Sequence, residues 1–180
     1  MGRYLLPAFV GLMVGAVIAT RLLPHPPNFT PVGAIALFAG IYLAQKTKWA
    51  LLLPVAVMFL TDIFIGTYDI KLMAVVYMSF VAYVGIGWVV GKKKKITTVV
   101  LGTFTGALTF FLVTNFAVWA FYPHYPATFE GLMMSYTMAL PFFKYGLLGD
   151  LFFVAVFIGS YELATRYLLQ ESSKKKLAYD

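Results

Sequence analysis

Polar side chains suited to binding a small molecule interrupt the apolar stretches of this chain at a few places. Asp62, Asn115 and Asp150 lie within long hydrophobic runs. Acidic groups there are costly because lipid cannot solvate them, and they usually face a bundle interior or a water-filled path. Carboxylates, amides and an indole can orient a compact polar or aromatic solute. We therefore predict a solute site, with candidate residues His25, Asn28, Asp62, Asn115, Trp119 and Asp150.

One stretch, RLLPHPPNFTPVGAIALFAG from Arg21 to Gly40, stands out from the remaining sequence. It places a cation, a histidine, an asparagine and several prolines directly before apolar residues. Unpaired backbone groups are expensive in lipid, so such a segment must lie at a membrane surface or line a cavity enclosed by protein. We interpret it as one wall of the solute site.

The composition indicates an integral membrane protein. The 180 residues are 61% hydrophobic and 12% charged, whereas soluble domains are about half apolar and a quarter charged. There is no cysteine, which excludes disulfides and cysteine metal sites. The histidines and aspartates match no compact ligand spacing, so neither a metal nor a cofactor is expected. The net charge of +7 comes from short basic runs between apolar spans, which is a topology signal and does not indicate nucleic-acid binding.

The hydropathy pattern predicts an all-α bundle of six transmembrane helices. The spans cover approximately residues 4–23, 31–44, 49–68, 72–90, 96–121 and 146–169. The second has ~14 residues, fewer than the ~20 that a crossing needs. The stretch before the sixth span is aromatic and rich in proline, and we predict an interfacial or re-entrant segment with a short helix near 129–139. Residues 1–169 would form one domain and residues 170–180 a disordered cytoplasmic tail.

The basic residues predict the orientation in the membrane. With a cytoplasmic N-terminus, eleven of the 14 basic residues lie inside, and only Arg21, Lys71 and Lys144 lie outside. The positive-inside rule then favours both termini in the cytoplasm of a plasma (inner) membrane. In this topology the candidate residues share an outer depth, which predicts one outward-facing pocket. Its expected aromatic rim comprises Trp119, Tyr122, Phe129, Tyr136, Phe142 and Phe143.

Structural roles remain open for the same residues. Asp62 could pair with Lys71 or Lys144, and Asp150 could be an acid near a helix N-terminus, stabilised by the helix dipole. Asn115 could join two helices. The histidines could be solvated at the surface, and the aromatic residues could form an interfacial belt.

Three segments carry a resemblance to a family of small bacterial membrane proteins that is a domain of unknown function. They are RLLPHPPNFTPVGAIALFAG, TNFAVW and ALPFFKYGLLGDLFF. The resemblance covers most of the chain, and the Pro24–Pro31 motif is specific for it. It implies no activity.

More loosely, the chain is similar to the substrate-binding S components of energy-coupling factor (ECF) transporters. Six short spans, an irregular first outer segment and about 180 residues carry this resemblance. It implies capture of a vitamin-like or precursor-like solute, with a separate transmembrane scaffold and ATPase subunits as partners. It also implies that a small-residue stripe on the first helix docks the scaffold, here Gly11, Gly15 and Ala19. Such a stripe would let any helix approach closely.

The sequence contains no phosphate-binding loop, nucleophile elbow or zinc-protease helix. We therefore expect a solute-binding membrane subunit that is not an enzyme and that is energised by partner proteins. One alternative is a self-sufficient transporter or channel that uses Asp62 and Asp150 as proton or cation sites. The other is a structural membrane subunit of an envelope assembly. Membrane lipid is an expected partner in every case.

Overall fold

Helices form all of the regular structure in the described part of the chain. The computed structural model describes residues 4–177, with side chains described for residues 4–170. The helices are α1 (Leu5–Leu22), α2 (Val32–Phe38, continued by a π-helical turn over Ala39–Leu43), α3 (Leu52–Ile65, preceded by a 3-10 turn over Lys48–Leu51), α4 (Ile70–Lys92), α5 (Ile96–Phe121) and α6 (Phe129–Leu177). The predicted all-α class is confirmed.

Among residues 4–177, five helices are long and apolar enough to cross a membrane. They cover Leu5–Leu22, Lys48–Ile65, Ile70–Lys92, Ile96–Phe121 and Phe129–Gln170. Large apolar side chains on their outward surfaces, such as Phe64 at 72% exposed, have no partner within the bundle. Lipid satisfies such surfaces, whereas extensive apolar patches in water mark sites of association. The chain therefore has the helices and surface of a multi-pass membrane protein.

The short helix α2 is the core of the bundle. Every residue from 32 to 41 is buried, and α2 packs against α4 and α6 while also contacting α1, α3 and α5. A helix that is apolar on all sides is stable only when other elements surround it. Together with its π-helical turn, α2 is about 18 Å long at 1.5 Å per residue, shorter than the ~30 Å hydrocarbon layer. Six complete crossings therefore stay a prediction.

Two glycines bring the core helix into direct contact with α4. A Cβ atom at Gly40 would lie 2.2 Å from the Val84 carbonyl oxygen, and one at Gly87 would lie 2.5 Å from the Leu37 carbonyl oxygen. Both distances are far below van der Waals contact, so only glycine fits. This close approach fixes the depth of α2 relative to α4, and with it the position of the residues that precede α2.

The predicted separate helix before the sixth span is wrong. α6 begins at Phe129 and continues without a break past Pro141. Proline suggested an interruption because it lacks an N–H donor. Proline is nevertheless tolerated in membrane helices, where neighbouring helices and local adjustments satisfy the freed backbone groups. The predicted disordered tail is also wrong up to Leu177, because α6 extends that far; the last residues of the tail, 178–180, lie outside the described residues.

Candidate functional site

A cavity of about 490 Å³ lies among the helices at the end of the bundle formed by residues 23–31 and 66–69. We call this the cavity end. Residues from all six helices and from the segment 23–31 line the cavity. Its opening is marked by lining residues that are exposed, including His25, Ile65 and Tyr68. Four of the six predicted site residues line this cavity: His25, Asn28, Asn115 and Asp150.

The irregular segment 23–31 forms one wall of the cavity. The Phe29 N–H donates to the Pro26 carbonyl at 3.0 Å, closing a tight turn. Asn28 has a φ of 61°, a left-handed conformation that asparagine adopts more readily than most residues. Phe29 then packs against Phe152 and Phe153 of α6, with ring centroids 6.0 and 5.6 Å apart. The predicted irregular segment is confirmed, and its turn places Asn28 at the cavity.

Arg21 neutralises the charge of Asp62 at the cavity end. The Arg21 guanidinium donates to Asp62 Oδ1 at 2.7 Å and to the Thr61 hydroxyl at 2.5 Å. The Tyr77 hydroxyl donates to Asp62 Oδ2 at 2.7 Å. Asp62 is only 2% exposed and does not line the cavity, whereas Arg21 does. Asp62 therefore sits behind the wall and holds Arg21, and its partner is neither of the lysines considered from the sequence.

The rim of the cavity carries further polar groups. The His25 Nδ1 atom lies 2.8 Å from the Leu23 carbonyl oxygen, which restrains the imidazole. Asn115 donates to the Phe111 carbonyl one turn earlier at 2.8 Å. Burial, followed by the nearby Asp62 charge, raises the pKa of Tyr68 to about 12. The Tyr68 hydroxyl therefore remains a hydrogen-bond donor at neutral pH.

Asp150 lies at the deep end of the cavity. It is 8% exposed, and the Tyr83 hydroxyl lies 2.9 Å from its Oδ2 atom and 2.8 Å from the Thr103 carbonyl oxygen. Asp150 lies about six helical turns after the start of α6. Asp150 therefore cannot be an acid at a helix N-terminus, because the dipole effect is confined to the first turn.

The predicted shared depth is wrong for Asp150 relative to Asn115, although the Asn28 backbone lies beside Gly146, about one turn before Asp150 on α6. Asp62 and Asn115 lie in the last turns of α3 and α5 at the cavity end. The Tyr83 hydroxyl contacts both Asp150 and the Thr103 carbonyl, so Asp150 lies at the depth of Thr103. Thr103 is about 18 Å from Asn115 along α5, at 1.5 Å per residue. The difference arises because α6 starts well before the predicted sixth span. The cavity therefore runs from a polar rim deep into the bundle.

Aromatic rings form much of the wall between the rim and Asp150. Phe80 packs on Phe110 with centroids 4.9 Å apart, and Phe111 packs on Phe143 at 4.8 Å. Phe142 and Phe143 of the predicted aromatic rim line the cavity; Trp119, Tyr122, Phe129 and Tyr136 are not among its lining residues.

Trp119 lies in the last turn of α5 and contacts the connection between α5 and α6. Its indole N–H donates to the Pro126 carbonyl at 2.9 Å, and its ring packs on Phe116 at 5.4 Å. This side chain lines a separate shallow hollow together with residues 120–127. The geometry gives Trp119 the role of fastening this connection to the end of α5.

The small residues of α1 face away from the bundle. Gly11, Gly15 and Ala19 are exposed, whereas Met13 and Val17 on the opposite face are buried in the core. A Cβ atom at either glycine would meet nothing within 4 Å. Within the part of the chain that the structure describes, these residues therefore pack against no other helix, and their surface is exposed to lipid or another helix.

A model described as "Family of unknown function (DUF6580)" matches residues 4–173. The chain belongs to this family. The predicted resemblance to an uncharacterised family is thus confirmed. No curated protein and no solved structure matches the chain. The family assignment supplies no activity, so any function for this member must be argued from the geometry of its cavity.

Sequence reasoning missed several residues of the candidate site. Arg21, Tyr83 and Gly33 line the cavity, as do Phe80 and Phe110. Arg21 could have been predicted from the sequence, because it is a cation expected at the same depth as Asp62 and could pair with it. Tyr83 and the phenylalanines had no such signal, because apolar spans contain many aromatic residues that face lipid. Within the described residues, no cluster of three or more His, Asp or Glu could hold a metal ion.

Proposed function

We propose that this protein is the solute-capturing membrane subunit of an uptake system, energised by partner proteins. The observation that carries the proposal is the cavity of about 490 Å³ on which polar residues from distant parts of the sequence converge. Ligand sites are typically concave and mostly apolar, with a few polar groups that orient the ligand. The volume lies within the ~300–1,000 Å³ range of small-molecule sites.

The polar residues of the cavity would contact different parts of the solute, according to their depth. His25, Asn28 and Asn115 offer hydrogen bonds near the opening, while Asp150 offers a carboxylate at the deep end. Asp62 contributes indirectly by holding Arg21. Trp119 contributes by fastening the connection that covers the end of α5. In this role the protein binds without chemical conversion, so it is not an enzyme.

The exposed small residues on the outward face of α1 are the basis for proposing a helical membrane partner. Gly11, Gly15 and Ala19 present an exposed strip, and among the described residues no atom lies within 4 Å of a Cβ added at either glycine. Small residues at such spacing allow close helix packing in membranes. We propose that this strip docks a transmembrane scaffold with ATPase subunits, as in ECF transporters. The bundle would lie in a plasma membrane with the cavity end outside and both termini in the cytoplasm, as the basic residues favour.

Native mass spectrometry of the gently extracted protein tests solute capture. Ala107 lines the cavity and is 6% exposed, so Ala107→Phe fills it. Ala155 faces outward on α6, which makes Ala155→Phe the matched control. We expect wild type and Ala155→Phe to retain a small molecule that Ala107→Phe lacks. Absence of any retained molecule in wild type, or equal retention by Ala107→Phe, contradicts the proposal and favours a structural subunit.

A self-sufficient proton- or cation-coupled transporter is favoured by one observation, the buried carboxyl group of Asp150. Acidic groups inside membranes are frequent in proton relays. Reconstitution of the purified chain in liposomes separates the two functions. Solute flux that depends on a pH gradient without any other protein supports the transporter, whereas flux that requires added partner subunits supports the capture subunit.

A further inference from the structure

Asp150 differs from the other buried or half-buried carboxylates in having no cation among the described residues within ion-pairing distance. Arg21 lies 2.7 Å from Asp62, and Lys94 lies 2.5 Å from Glu162. Within residues 4–170, Asp150 forms no ion pair, although it is 8% exposed. Buried charges in proteins are normally paired because an isolated charge is poorly solvated. A cation from outside the described residues would supply the missing partner, just as a bound proton would remove the charge.

The hydrogen bonds of Asp150 are also incomplete. Two carboxylate oxygens offer about four acceptor positions. Tyr83 has one hydroxyl proton, and that proton is shared between Asp150 Oδ2 and the Thr103 carbonyl oxygen. Residues 4–170 provide no hydrogen-bond donor to Oδ1, and this atom is not sealed off from the cavity. Asp150 is thus an open acceptor aimed at the cavity.

The chain itself closes two sides of the Asp150 carboxylate. A Cβ atom at Gly33 would lie 2.2 Å from Asp150 Oδ1, so the backbone of α2 closes one side. Tyr83 closes another side, and its own ring rests on Gly106, where a Cβ atom would lie 1.9 Å away.

The remaining wall suits a cation. Phe80, Phe110, Phe111 and Phe143 line the path between the rim and Asp150, and aromatic faces attract cations within about 6 Å of the ring centre. Arg21 is the other formally charged residue of the lining, and Asp62 balances its charge. The carboxyl group of Asp150, at the deep end, is therefore the formally charged group of the lining that no ion pair within the described residues balances.

We propose that the captured solute is cationic, with an ammonium or amidinium group bound to Asp150 and an aromatic or apolar body extending toward Asn115. This inference rests on the proposed function and narrows it to a class of solute. The donors of such a group fill the open acceptor positions of Asp150. The rings along the wall pack against the body.

Three indole probes of similar size test the charge preference: tryptamine is cationic, tryptophol is neutral and indole-3-acetate is anionic. Binding is measured by isothermal titration calorimetry on the protein in lipid nanodiscs, with Ala107→Phe as the background for uptake into lipid. We expect wild type to bind tryptamine at least tenfold more tightly than tryptophol and indole-3-acetate least tightly. Asp150→Asn should bind tryptamine and tryptophol equally, while Tyr83→Phe, which keeps the carboxylate, should retain the preference.

The outcomes separate this inference from the proposed function. Equal binding of the three probes to wild type, removed by Ala107→Phe, overturns the cationic class and leaves solute capture standing. A preference for tryptamine that persists in a folded Asp150→Asn variant overturns the role of Asp150. No binding above the Ala107→Phe background overturns both proposals for ligands of this size. The comparison of probes on wild type needs no variant, so it decides the charge preference even if Asp150→Asn fails to fold.

Discussion

The substitution Gly106→Ala tests whether Tyr83 is held against Asp150 as the structure shows. The new Cβ atom would lie 1.9 Å from the Tyr83 ring, whereas carbon atoms pack at ~3.5–4.0 Å. The ring must therefore move by about 1.5–2 Å. The Tyr83 hydroxyl oxygen is 2.8 Å from the Thr103 carbonyl and 2.9 Å from Asp150 Oδ2. Movement of that size breaks both hydrogen bonds, since they weaken beyond ~3.2–3.5 Å.

The expected cost follows from these two effects. Overpacking costs about 1–3 kcal/mol, and hydrogen bonds within membrane helix bundles average about 0.6 kcal/mol each. We therefore expect Gly106→Ala to lower the free energy of unfolding by about 2–4 kcal/mol, measured by titration with denaturing detergent in mixed micelles. Gly85→Ala is the matched control, because a Cβ atom there meets nothing within 4 Å. Alanine should leave stability unchanged or raise it by up to about 1 kcal/mol. A Gly106→Ala variant as stable as Gly85→Ala would refute the placement of Tyr83.

Three further predictions concern other contacts. Arg21→Met should lower the free energy of unfolding by about 3–5 kcal/mol because it leaves the buried Asp62 without its cation. Adding Asp62→Leu to the same chain should recover part of that loss. If the losses of the two substitutions simply add, the ion pair at 2.7 Å is contradicted. The hydrogen bond from Tyr122 lowers the pKa of Asp69 below its usual 3.8. The contact therefore stabilises the folded state fully above pH ~3.8, and this stabilisation is lost as the pH falls through the lowered pKa. Thermal unfolding from about pH 6 to 3 should therefore show a weaker acid dependence in Tyr122→Phe, and identical profiles would count against the contact. Gly15→Leu should leave thermal stability unchanged, because nothing lies within 4 Å of the added Cβ, while a co-purifying partner is lost; retention of the partner would place docking elsewhere.

Local sequence signals were sufficient for much of the fold. Continuous apolar runs predicted the bounds of the fifth helix, Ile96–Phe121, because charged or turn-forming residues flank it on both sides. The same logic identified the short second span, and the prolines of residues 23–31 correctly predicted an irregular wall. Asn28, with its left-handed backbone, is the residue of that wall whose type the turn itself favours.

The contacts between distant residues could not be predicted in the same way. Pro141 suggested a helix end, but the consequence of a proline depends on the helices that pack around it. That error displaced Asp150 toward the membrane surface and hid its partner Tyr83. Likewise, a hydrophobic span does not reveal which of its phenylalanines face a cavity and which face lipid, since both environments accept them equally.

The most direct test of the central claim is the reactivity of single cysteines with a small, charged, membrane-impermeant methanethiosulfonate applied to intact cells. The chain has no cysteine of its own, so each introduced thiol is read without background. Ala107 lines the cavity, and Thr105, two residues earlier on α5, is exposed on the outward surface. We expect Ala107→Cys to react because water reaches it through the cavity end, and Thr105→Cys to stay unmodified because lipid surrounds it. An unreactive Ala107→Cys, or equal modification of both positions, would contradict a solvent-accessible cavity within the bundle.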